Sequence, residues 1–332
     1  MTTPSIPTPA PDPGRIQWAA EQAEALRTEI HRALVGQEAV VNQVLAAFLA
    51  GGHVLLEGVP GLGKTLLVRA LATTFRGDFA RIQFTPDLMP SDVMGHALWD
   101  MKSEQFHLRR GPVFTNLLLA DEVNRAPAKT QAALLEVMQE QQVSLEGRTL
   151  PVQAPFMVLA TQNPIEQEGT YPLPEAQLDR FLLKVHMGYP EVHEEVALVR
   201  QVTTGTVGDA LRVDSVRPLM DAAEILELQA LAASVRVDDA VLDYAVRIVR
   251  ATREWPGIAI GAGPRGAIAL IRVVRAHALL EGRDFTTPDD VKALALPALR
   301  HRLQRSPETE IEGLGPDDLL RAVLAKVPAP RA

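Results

Sequence analysis

The stretch Gly58-Val59-Pro60-Gly61-Leu62-Gly63-Lys64-Thr65 decides the fold of this chain. It follows the apolar run Val54-Leu55-Leu56 after one residue, Glu57, and directly precedes a helix-like stretch that opens at Leu66. Glycines at these positions let backbone N–H groups close around phosphate oxygens, and the following helix points its positive end at the same oxygens. In such a loop the lysine reaches the β- and γ-phosphates, and the final hydroxyl binds Mg²⁺. The pattern predicts a nucleotide-binding loop, and the alternative is an ordinary glycine-rich turn between a strand and a helix.

Length and composition limit the possible classes of protein. A chain of 332 residues is long enough for two domains with buried cores. The formal net charge is -8, from 41 acidic and 33 basic residues, so a general electrostatic attraction to nucleic acid is not expected. The chain has no cysteine, which excludes disulfides, thiolate metal sites and cysteine nucleophiles. We find no membrane-span pattern and no signal-peptide layout, and therefore expect a cytoplasmic protein.

The order of patterns along the chain predicts an α/β domain after a disordered tail. Residues 1–15 are rich in proline and predict the tail. From residue 16 to residue 205, apolar runs alternate with helical patterns, as expected for a parallel sheet sandwiched by helices. Helices are expected at residues 18–34 and 37–49, and strands at residues 54–57, 81–84, 117–120 and 156–160.

Residues 206–332 lack comparable strand-like runs and predict a smaller, all-helical domain. Its helical patterns cover residues 222–235, 238–254, 264–280 and 287–303. The last pattern opens with Thr287-Pro288-Asp289-Asp290, which combines a capping hydroxyl, a proline at the first helical position and acids in the positive first turn.

Two carboxylates, Asp121 and Glu122, follow the apolar run of residues 117–120. In a parallel sheet the carboxyl end of such a strand faces the ligand crevice. Asp121 is the expected Mg²⁺ ligand together with Thr65, and Glu122 is the expected group that polarises an attacking water. A strand that stops at a solvated acidic turn is the alternative, but the phosphate loop upstream favours the metal-binding interpretation.

Three further polar residues fit a nucleotide site less specifically. Asn163 follows the run of residues 156–160, where it could contact a γ-phosphate or simply form a turn before Pro164. Arg180 lies between apolar residues and could form a surface ion pair or reach the nucleotide of a neighbouring subunit. Arg265 lies at a predicted helix start, where a cation is unfavourable unless an anion is near.

Together these residues resemble those of an AAA+ ATPase, and specifically the MoxR family. The resemblance covers roughly residues 30–310, and its most specific segments are Leu118-Leu119-Ala120-Asp121-Glu122-Val123-Asn124-Arg125-Ala126-Pro127 and Ala160-Thr161-Gln162-Asn163-Pro164. This family belongs to the helix-2-insert clade and is related to the ATPase subunits of magnesium chelatases. The resemblance implies a P-loop NTPase core with a helical lid, and Mg²⁺-dependent hydrolysis of ATP to ADP and phosphate.

The resemblance also implies roles for individual residues. Asp121 and Glu122 correspond to Walker B, Asn163 to sensor 1, Arg180 to the arginine finger and Arg265 to sensor 2. The implied catalytic residues are Lys64, Glu122, Asn163 and Arg180. The implied nucleotide contacts are Gly36 and Gln37 near the adenine, the Walker A residues Gly58, Pro60, Gly61, Leu62, Gly63, Lys64 and Thr65, and also Leu66 and Arg265.

Two insertions and two departures complete the resemblance. Residues 85–111 resemble the helix-2 insertion, and residues 143–152 resemble the pre-sensor-1 hairpin, with Glu146-Gly147 as its turn. Gly263 and Gly266 stand where the family commonly has serine and alanine, and these flexible residues put the predicted helix start at residue 264 in question.

The family resemblance implies ATP hydrolysis at the subunit interfaces of a ring, which we expect to be a hexamer. Arg125 is the rival of Arg180 as the residue that reaches a neighbour's nucleotide, or it is a structural partner of Glu122. The implied work is chaperone-like remodelling or maturation of a protein client, with a partner that carries a von Willebrand factor A (VWA) domain. The alternatives are a DNA-associated AAA+ motor, which the single basic residue Arg148 of the hairpin does not favour, and the ATPase subunit of a metal-chelatase-like complex.

Overall fold

The computed structural model describes residues 12–59, 61–101, 104–163, 169–204 and 213–330. They form two compact units. One unit is Ala25–Leu226, and the other joins the chain up to Glu24 with the chain from Glu227 onwards. The divisions therefore fall inside the helices Pro13–Ala33 and Ala222–Ser234, and not at residue 205, where the sequence predicted the boundary.

The first helix, α1 (Pro13–Ala33), begins inside the predicted tail. The prediction of a tail is therefore wrong for residues 13–15, and residues 1–11 lie outside the described part of the chain. Proline is compatible with the first helical position, because the N–H that it lacks would have no acceptor within the helix. The Asp12 carboxylate also accepts a hydrogen bond from the N–H of Gly14 at 3.0 Å, as a capping residue does.

The unit Ala25–Leu226 is built on a parallel sheet with two added hairpins. Its strands are β1 (Val54–Glu57), β2 (Phe79–Gln83), β3 (Gly95–Asp100), β4 (Gln105–Arg110), β5 (Leu117–Asp121), β6 (Gln142–Leu145), β7 (Arg148–Pro151), β8 (Met157–Gln162) and β9 (Leu183–His186). Its further helices are α2 (Glu38–Leu49), α3 (Lys64–Thr74), α4 (Pro90–Met94), α5 (Ala128–Glu140), α6 (Glu175–Leu178) and α7 (Val192–Thr203).

The main sheet has the strand order β2-β5-β8-β1-β9, and all of its pairs are parallel. Strand β8 lies between β5 and β1, so the carboxyl ends of these three strands are neighbours. Leu118 and Ala120 of β5 share a buried cluster with Leu134 and Val137 of α5. Helix α3 contacts β5 and β2 without belonging to that cluster, so it covers the opposite face. The predicted sheet between helices is confirmed.

Strand β9 is part of the main sheet but was not among the four strands that the sequence predicted. It pairs only with β1, at the edge of the sheet. Its four residues, Leu-Lys-Val-His, bury only the two apolar side chains. A short edge strand with basic residues at every second position does not produce the continuous apolar run by which the inner strands of a parallel sheet are recognised.

Two antiparallel hairpins project from this fold. The predicted hairpin at residues 143–152 is confirmed, because β6 and β7 pair around Glu146 and Gly147. Both residues have positive φ, 47° and 74°, as a two-residue turn of type I′ requires. Within the predicted helix-2 insertion, α4 is followed by a second hairpin of β3 and β4.

The other unit is helical, as predicted, with one addition. Its elements are α8 (Ala222–Ser234), α9 (Asp239–Ala251), β10 (Ile258–Ile260), α10 (Pro264–Leu280), α11 (Pro288–Leu299), β11 (Gln304–Arg305), α12 (Pro307–Ile311) and α13 (Pro316–Lys326). The antiparallel pair of β10 and β11 is the addition, and its two or three residues are too few to give a periodic signal. Thr287 caps α11 as predicted, by accepting a hydrogen bond from the N–H of Asp290 at 3.3 Å.

Helix α10 begins at the predicted residue despite Gly263 and Gly266. Gly263 is the N-cap with an extended backbone, and the helix begins at Pro264. A Cβ on Gly266 would lie 3.1 Å from Leu299 Cδ2 and 3.2 Å from Ala262 Cβ, so this glycine allows close packing. Among the described residues, no helix combines the length and apolar character that crossing a membrane requires.

Candidate nucleotide site

The phosphate loop joins β1 to α3. Gly61 and Gly63 have φ values of 86° and 85°, a left-handed conformation that glycine adopts without strain. Among the described residues, the N–H groups of Gly61, Leu62 and Gly63 donate no hydrogen bond. The first N–H groups of α3 likewise have no acceptor within the helix. The loop therefore offers a set of free donors to an anion, while Pro60 lies outside the described residues.

Two glycines of the loop pack closely against other parts of the chain. A Cβ on Gly58 would lie 2.4 Å from the carbonyl oxygen of Met187, which is backbone and cannot rotate away. A Cβ on Gly63 would lie 2.9 Å from Leu34 Cδ1. The contact at Gly58 is with backbone and requires a glycine, whereas at Gly63 the end of the Leu34 side chain could move and the positive φ is what favours glycine.

Lys64 opens α3, and Thr65 and Leu66 follow it in the first turn of the helix. Its Nζ donates a hydrogen bond to the carbonyl oxygen of Gly58 at 2.5 Å. Burial lowers the pKa of Lys64, and the carboxylates of Asp121, Glu122 and Glu57 oppose that shift. Lys64 therefore lies against the loop, within electrostatic reach of these three acids.

The two acids at the end of β5 are joined by Thr161 of β8. The Thr161 hydroxyl donates to Asp121 Oδ1 at 2.6 Å and accepts from the N–H of Glu122 at 2.8 Å. Thr161 is almost fully buried, and Glu122 has a φ of 55°, which is unusual for a residue with a side chain. One hydroxyl therefore fixes both the Asp121 carboxylate and the backbone of Glu122.

Side chains of β2 hold the other carboxylate oxygens. Arg81 donates to Asp121 Oδ2 at 2.6 Å, and Gln83 donates to Glu122 Oε2 at 2.7 Å. Arg125 also reaches Glu122 Oε2, at 3.3 Å, within the same subunit. Both acids are therefore engaged by neighbouring strands, so neither is an isolated acid of a solvated turn.

Sequence reasoning missed Arg81, Gln83 and Thr161 as parts of this site. The alternation in Arg81-Ile82-Gln83, with only Ile82 buried, was an available signal for two polar side chains on one face of a strand. Thr161 was quoted within the family segment but was given no role. Its signal was a hydroxyl at the end of an otherwise apolar inner strand.

Asn163 follows β8 directly and is 8% exposed. Because β8 lies between β5 and β1, Asn163 stands at the same edge of the sheet as the two acids and the loop. The structure thus brings together, at one edge, the loop, its lysine, Asp121, Glu122 and Asn163.

Gly36 and Gln37 precede α2 in left-handed conformations, with φ values of 68° and 59°. Gln37 Nε2 donates to the carbonyl oxygen of Gly188 at 2.7 Å, and a Cβ on Gly36 would lie 2.5 Å from the Glu194 carboxylate. This segment therefore packs against the chain between β9 and α7, which also supplies Met187 beside Gly58.

Glu57, the last residue of β1, was not predicted as a site residue. Lys184 and His186 of β9 contact its carboxylate at 2.8 Å and 3.0 Å. Burial raises the pKa of Glu57, but hydrogen bonds and charges from His186 and Lys184 outweigh it and lower the pKa to about 2. This charged group ties the edge strand to the strand that precedes the loop.

Of the two predicted arginines, Arg180 lies in the same compact unit as the acids but is not hydrogen-bonded to them. Arg180 donates to the carbonyl oxygen of Leu135 at 2.7 Å, and among the described residues it has no acidic partner. Arg265 is the exposed second residue of α10 and belongs to the other compact unit.

A Mg²⁺ site at Thr65 and Asp121 fits the chemistry of these residues. Within the described part of the chain, no group of three or more His, Asp or Glu side chains could hold a metal by itself. Mg²⁺ bound with a nucleotide needs no such group, because it takes one or two protein ligands together with phosphate oxygens and waters.

The fold and this site define an AAA+ ATPase. Residues 53–183 match the family model described as "ATPase family associated with various cellular activities (AAA)", and residues 250–323 match the model described as "AAA lid domain". The chain belongs to the MoxR family of these ATPases, because curated relatives of that name match nearly its whole length. The predicted family, fold class and ATP hydrolysis are confirmed.

Three comparisons show how close the similarity is. The chain is 43% identical over 333 residues to "Chaperone MoxR1" of Mycobacterium tuberculosis, covering 96% of this chain and 86% of that protein. It is 46% identical over 301 residues to "Uncharacterized protein YeaC" of Bacillus subtilis, covering 91% and 92%. The crystal structure of a presumed ATPase from Cytophaga hutchinsonii matches with a TM-score of 0.88 and 41% identity, over 96% of this chain and 98% of that one. Magnesium-chelatase 38 kDa subunits are more distant relatives.

Proposed function

We propose that this chain is a subunit of a hexameric ring ATPase that remodels a protein client. The observation that carries the proposal is that one edge of a single sheet holds every proposed part of the hydrolytic site except an arginine. The loop, Lys64, Asp121, Glu122 and Asn163 come from the same subunit, while Arg180, which would complete the site, has no acidic partner among the described residues.

Within one subunit, the residues divide the work by their chemistry. The loop N–H groups and Lys64 bind the phosphates, and Thr65 and Asp121 hold Mg²⁺, which neutralises charge that develops on the phosphate oxygens. Glu122 polarises the attacking water, and Asn163 contacts the γ-phosphate. The hydrogen bond from Thr161 to Asp121 supports this division, because it orients the proposed metal ligand.

The contacts of the two candidate arginines favour Arg180 as the residue that acts on a neighbour's nucleotide. Arg125 is already paired with Glu122 in its own subunit at 3.3 Å. Within the part of the chain that the structure describes, Arg180 donates to a neutral carbonyl oxygen and contacts no anion, so its guanidinium can take a phosphate as a partner. An arginine finger contributes roughly 10³ to 10⁵ in rate, or about 4 to 7 kcal/mol, which is enough to make hydrolysis depend on assembly.

Arg265 is proposed to report the nucleotide state through the helical lid. It is exposed in the first turn of α10, where the free N–H groups already carry partial positive charge. An anion is the partner that makes such a position favourable. Gly36 and Gln37 are proposed to line the adenine pocket, and their left-handed backbone fixes the entry to α2.

The client is proposed to be a protein, and the partner a VWA-domain protein. The relative named "Chaperone MoxR1" supports a chaperone-like role. The β3–β4 hairpin also presents an exposed aromatic pair, Trp99 and Phe106, whose ring centroids are 4.9 Å apart. An exposed apolar pair suits contact with protein better than contact with a phosphate backbone.

The first test is Glu122→Gln, which removes the charge and keeps the shape. We expect ATP binding to remain and turnover to fall by at least about 10². The same variant in ATP would serve as a trap for affinity capture of the client and of a VWA-domain protein. Wild-type hydrolysis by Glu122→Gln would remove the proposed role of this acid.

The second test mixes two inactive variants, Arg180→Ala and Lys64→Ala. If Arg180 acts on a neighbour, mixed rings contain interfaces in which an intact loop meets an intact arginine, and part of the ATPase activity returns. Arg125→Ala in the same mixture is the matched control, and it should not be complemented if its role is within its own subunit. Absence of recovery with Arg180→Ala would contradict a role across the interface, and native mass measurement would count the subunits.

A further inference from the structure

The helical unit contains a cavity of about 620 Å³. Its walls are the end of α8 and the link to α9 (residues 233–238), Phe285 and Thr286 in the link between α10 and α11, and Arg275 of α10. The two links are held together by backbone hydrogen bonds, from Arg236 N–H to the Asp284 oxygen at 2.9 Å and from Thr286 N–H to the Arg236 oxygen at 3.0 Å. The volume lies within the range of about 300 to 1,000 Å³ that is typical of small-molecule sites.

Two side chains of this cavity lack partners. Among the described residues, the Arg275 guanidinium makes no hydrogen bond or ion pair, and its Nε is buried. Thr286 is 5% exposed, and its hydroxyl is buried without a partner. Buried donors without acceptors cost free energy, and most buried polar groups in folded proteins are paired. An acceptor from outside the chain would satisfy both groups.

The other charged groups of the wall are already engaged. Arg236 pairs with Asp284 at 2.8 Å. Asp238 caps α9, because its carboxylate accepts from the N–H of Ala240 at 2.8 Å. Arg275 is therefore the charge of the cavity that no described partner balances, and a ligand should bring a negative group. Phe285 adds an aromatic wall that is 46% exposed.

We propose that this cavity binds a small organic anion through a carboxylate or phosphate group. The oxyanion accepts hydrogen bonds from Arg275 and Thr286, and the apolar body of the ligand lies against Phe285. Arginine donates through a planar fork that matches both kinds of oxyanion. The site is separate from the contacts proposed for ATP, since none of those residues lines it, and Arg265 precedes Arg275 by about 15 Å along α10.

The experiment uses benzoate and phenyl phosphate, which share an aromatic body and differ in the oxyanion, and benzamide as their neutral counterpart. Each probe is titrated into the full chain with saturating ADP and Mg²⁺, so that the phosphate loop is occupied. We expect saturable binding of at least one anion, and binding of benzamide at least about ten-fold weaker. The stronger anion identifies whether the natural ligand carries a carboxylate or a phosphate.

Three variants assign the binding to the cavity. Arg275→Gln should lower the affinity for the anion by at least about ten-fold. Thr286→Val, which keeps the shape and removes the hydroxyl, should lower it by about three-fold or more. Arg250→Gln, at an exposed arginine of α9 outside the cavity wall, should leave the affinity unchanged. Without a probe, the melting temperature of Arg275→Gln should be equal to or above that of the wild type, because a cation without a partner is removed.

Three results would overturn the proposal. The first is no saturable binding of either anion in the millimolar range. The second is equal binding by all the variants, which would mean that the cavity holds only water and that the anion binds elsewhere. The third is a marked fall in the melting temperature of Arg275→Gln, which would make this arginine a structural residue.

Discussion

The ion pair between Arg81 and Asp121 predicts competition with the metal. Asp121 has two carboxylate oxygens, and both are engaged, one by the Thr161 hydroxyl and one by the Arg81 guanidinium. If Asp121 is a Mg²⁺ ligand, the metal and the Arg81 guanidinium are two positive groups at one carboxylate, so they repel each other and compete for its lone pairs. Arg81→Gln removes this competitor and its positive charge, so it should tighten Mg²⁺ binding.

The exposure of the pair sets the size of the effect. The Arg81 side chain is 47% exposed and the Asp121 side chain 17% exposed, so water screens the pair from one side. A pair of this kind contributes about 0.5 to 1 kcal/mol. This free energy corresponds to an affinity change of about two- to five-fold, which is the expected gain in Mg²⁺ affinity.

The assay titrates Mg²⁺ into protein that holds a fluorescent ADP and follows the nucleotide signal. The half-saturating Mg²⁺ concentration of Arg81→Gln should fall by about two- to five-fold relative to the wild type. Arg69→Gln, at an exposed arginine of α3, controls for the loss of one positive charge in the same unit. An unchanged or higher half-saturating concentration for Arg81→Gln would refute the competition, and would mean that Arg81 helps to hold the metal site.

Three further predictions follow from single contacts. Thr161→Val removes a partner from two part-buried polar groups, the Asp121 carboxylate and the Glu122 N–H, so chemical denaturation should show a loss of about 1 to 3 kcal/mol, and Thr161→Ser should restore most of it. Gly58→Ala forces a Cβ to within 2.4 Å of the Met187 carbonyl oxygen, so ADP binding should be lost in a direct titration, while an unchanged affinity would show that the loop can shift. Glu57 has a folded pKa of about 2, below its value in the unfolded chain, so its stabilisation is present at neutral pH and is lost as pH falls from about 5 to 2. Glu57→Gln should flatten the free energy of unfolding across that range, and an unchanged slope would contradict this.

The local parts of the site could be predicted from the sequence because each is encoded by neighbouring residues. The phosphate loop, the start of α3, the end of β5 and the turn at Glu146-Gly147 all depend on contacts within a few residues, and the structure has each of them at the predicted position. The cap of α11 at Thr287 is predictable for the same reason.

The contacts that cross the sheet could not be predicted in this way. Arg81 meets Asp121 only because β2 pairs with β5 in one particular register, and nothing in either strand alone specifies that register. Thr161 reaches the acids for the same reason, through the pairing of β5 with β8. Two units were predicted, but the positions at which the chain passes between them were not. Helix α1 begins in one unit and ends in the other, and a helical pattern in the sequence does not indicate such a change.

The Thr161 hydroxyl has a consequence for the order of events in a catalytic cycle. A hydroxyl has one proton to give, and here Asp121 receives it while the same oxygen holds the backbone of Glu122. A Mg²⁺ ion that shifts the Asp121 carboxylate would therefore also shift the backbone of Glu122, because the same hydroxyl contacts both. Metal binding at Asp121 would then be coupled, through one hydroxyl, to the alignment of the Glu122 backbone.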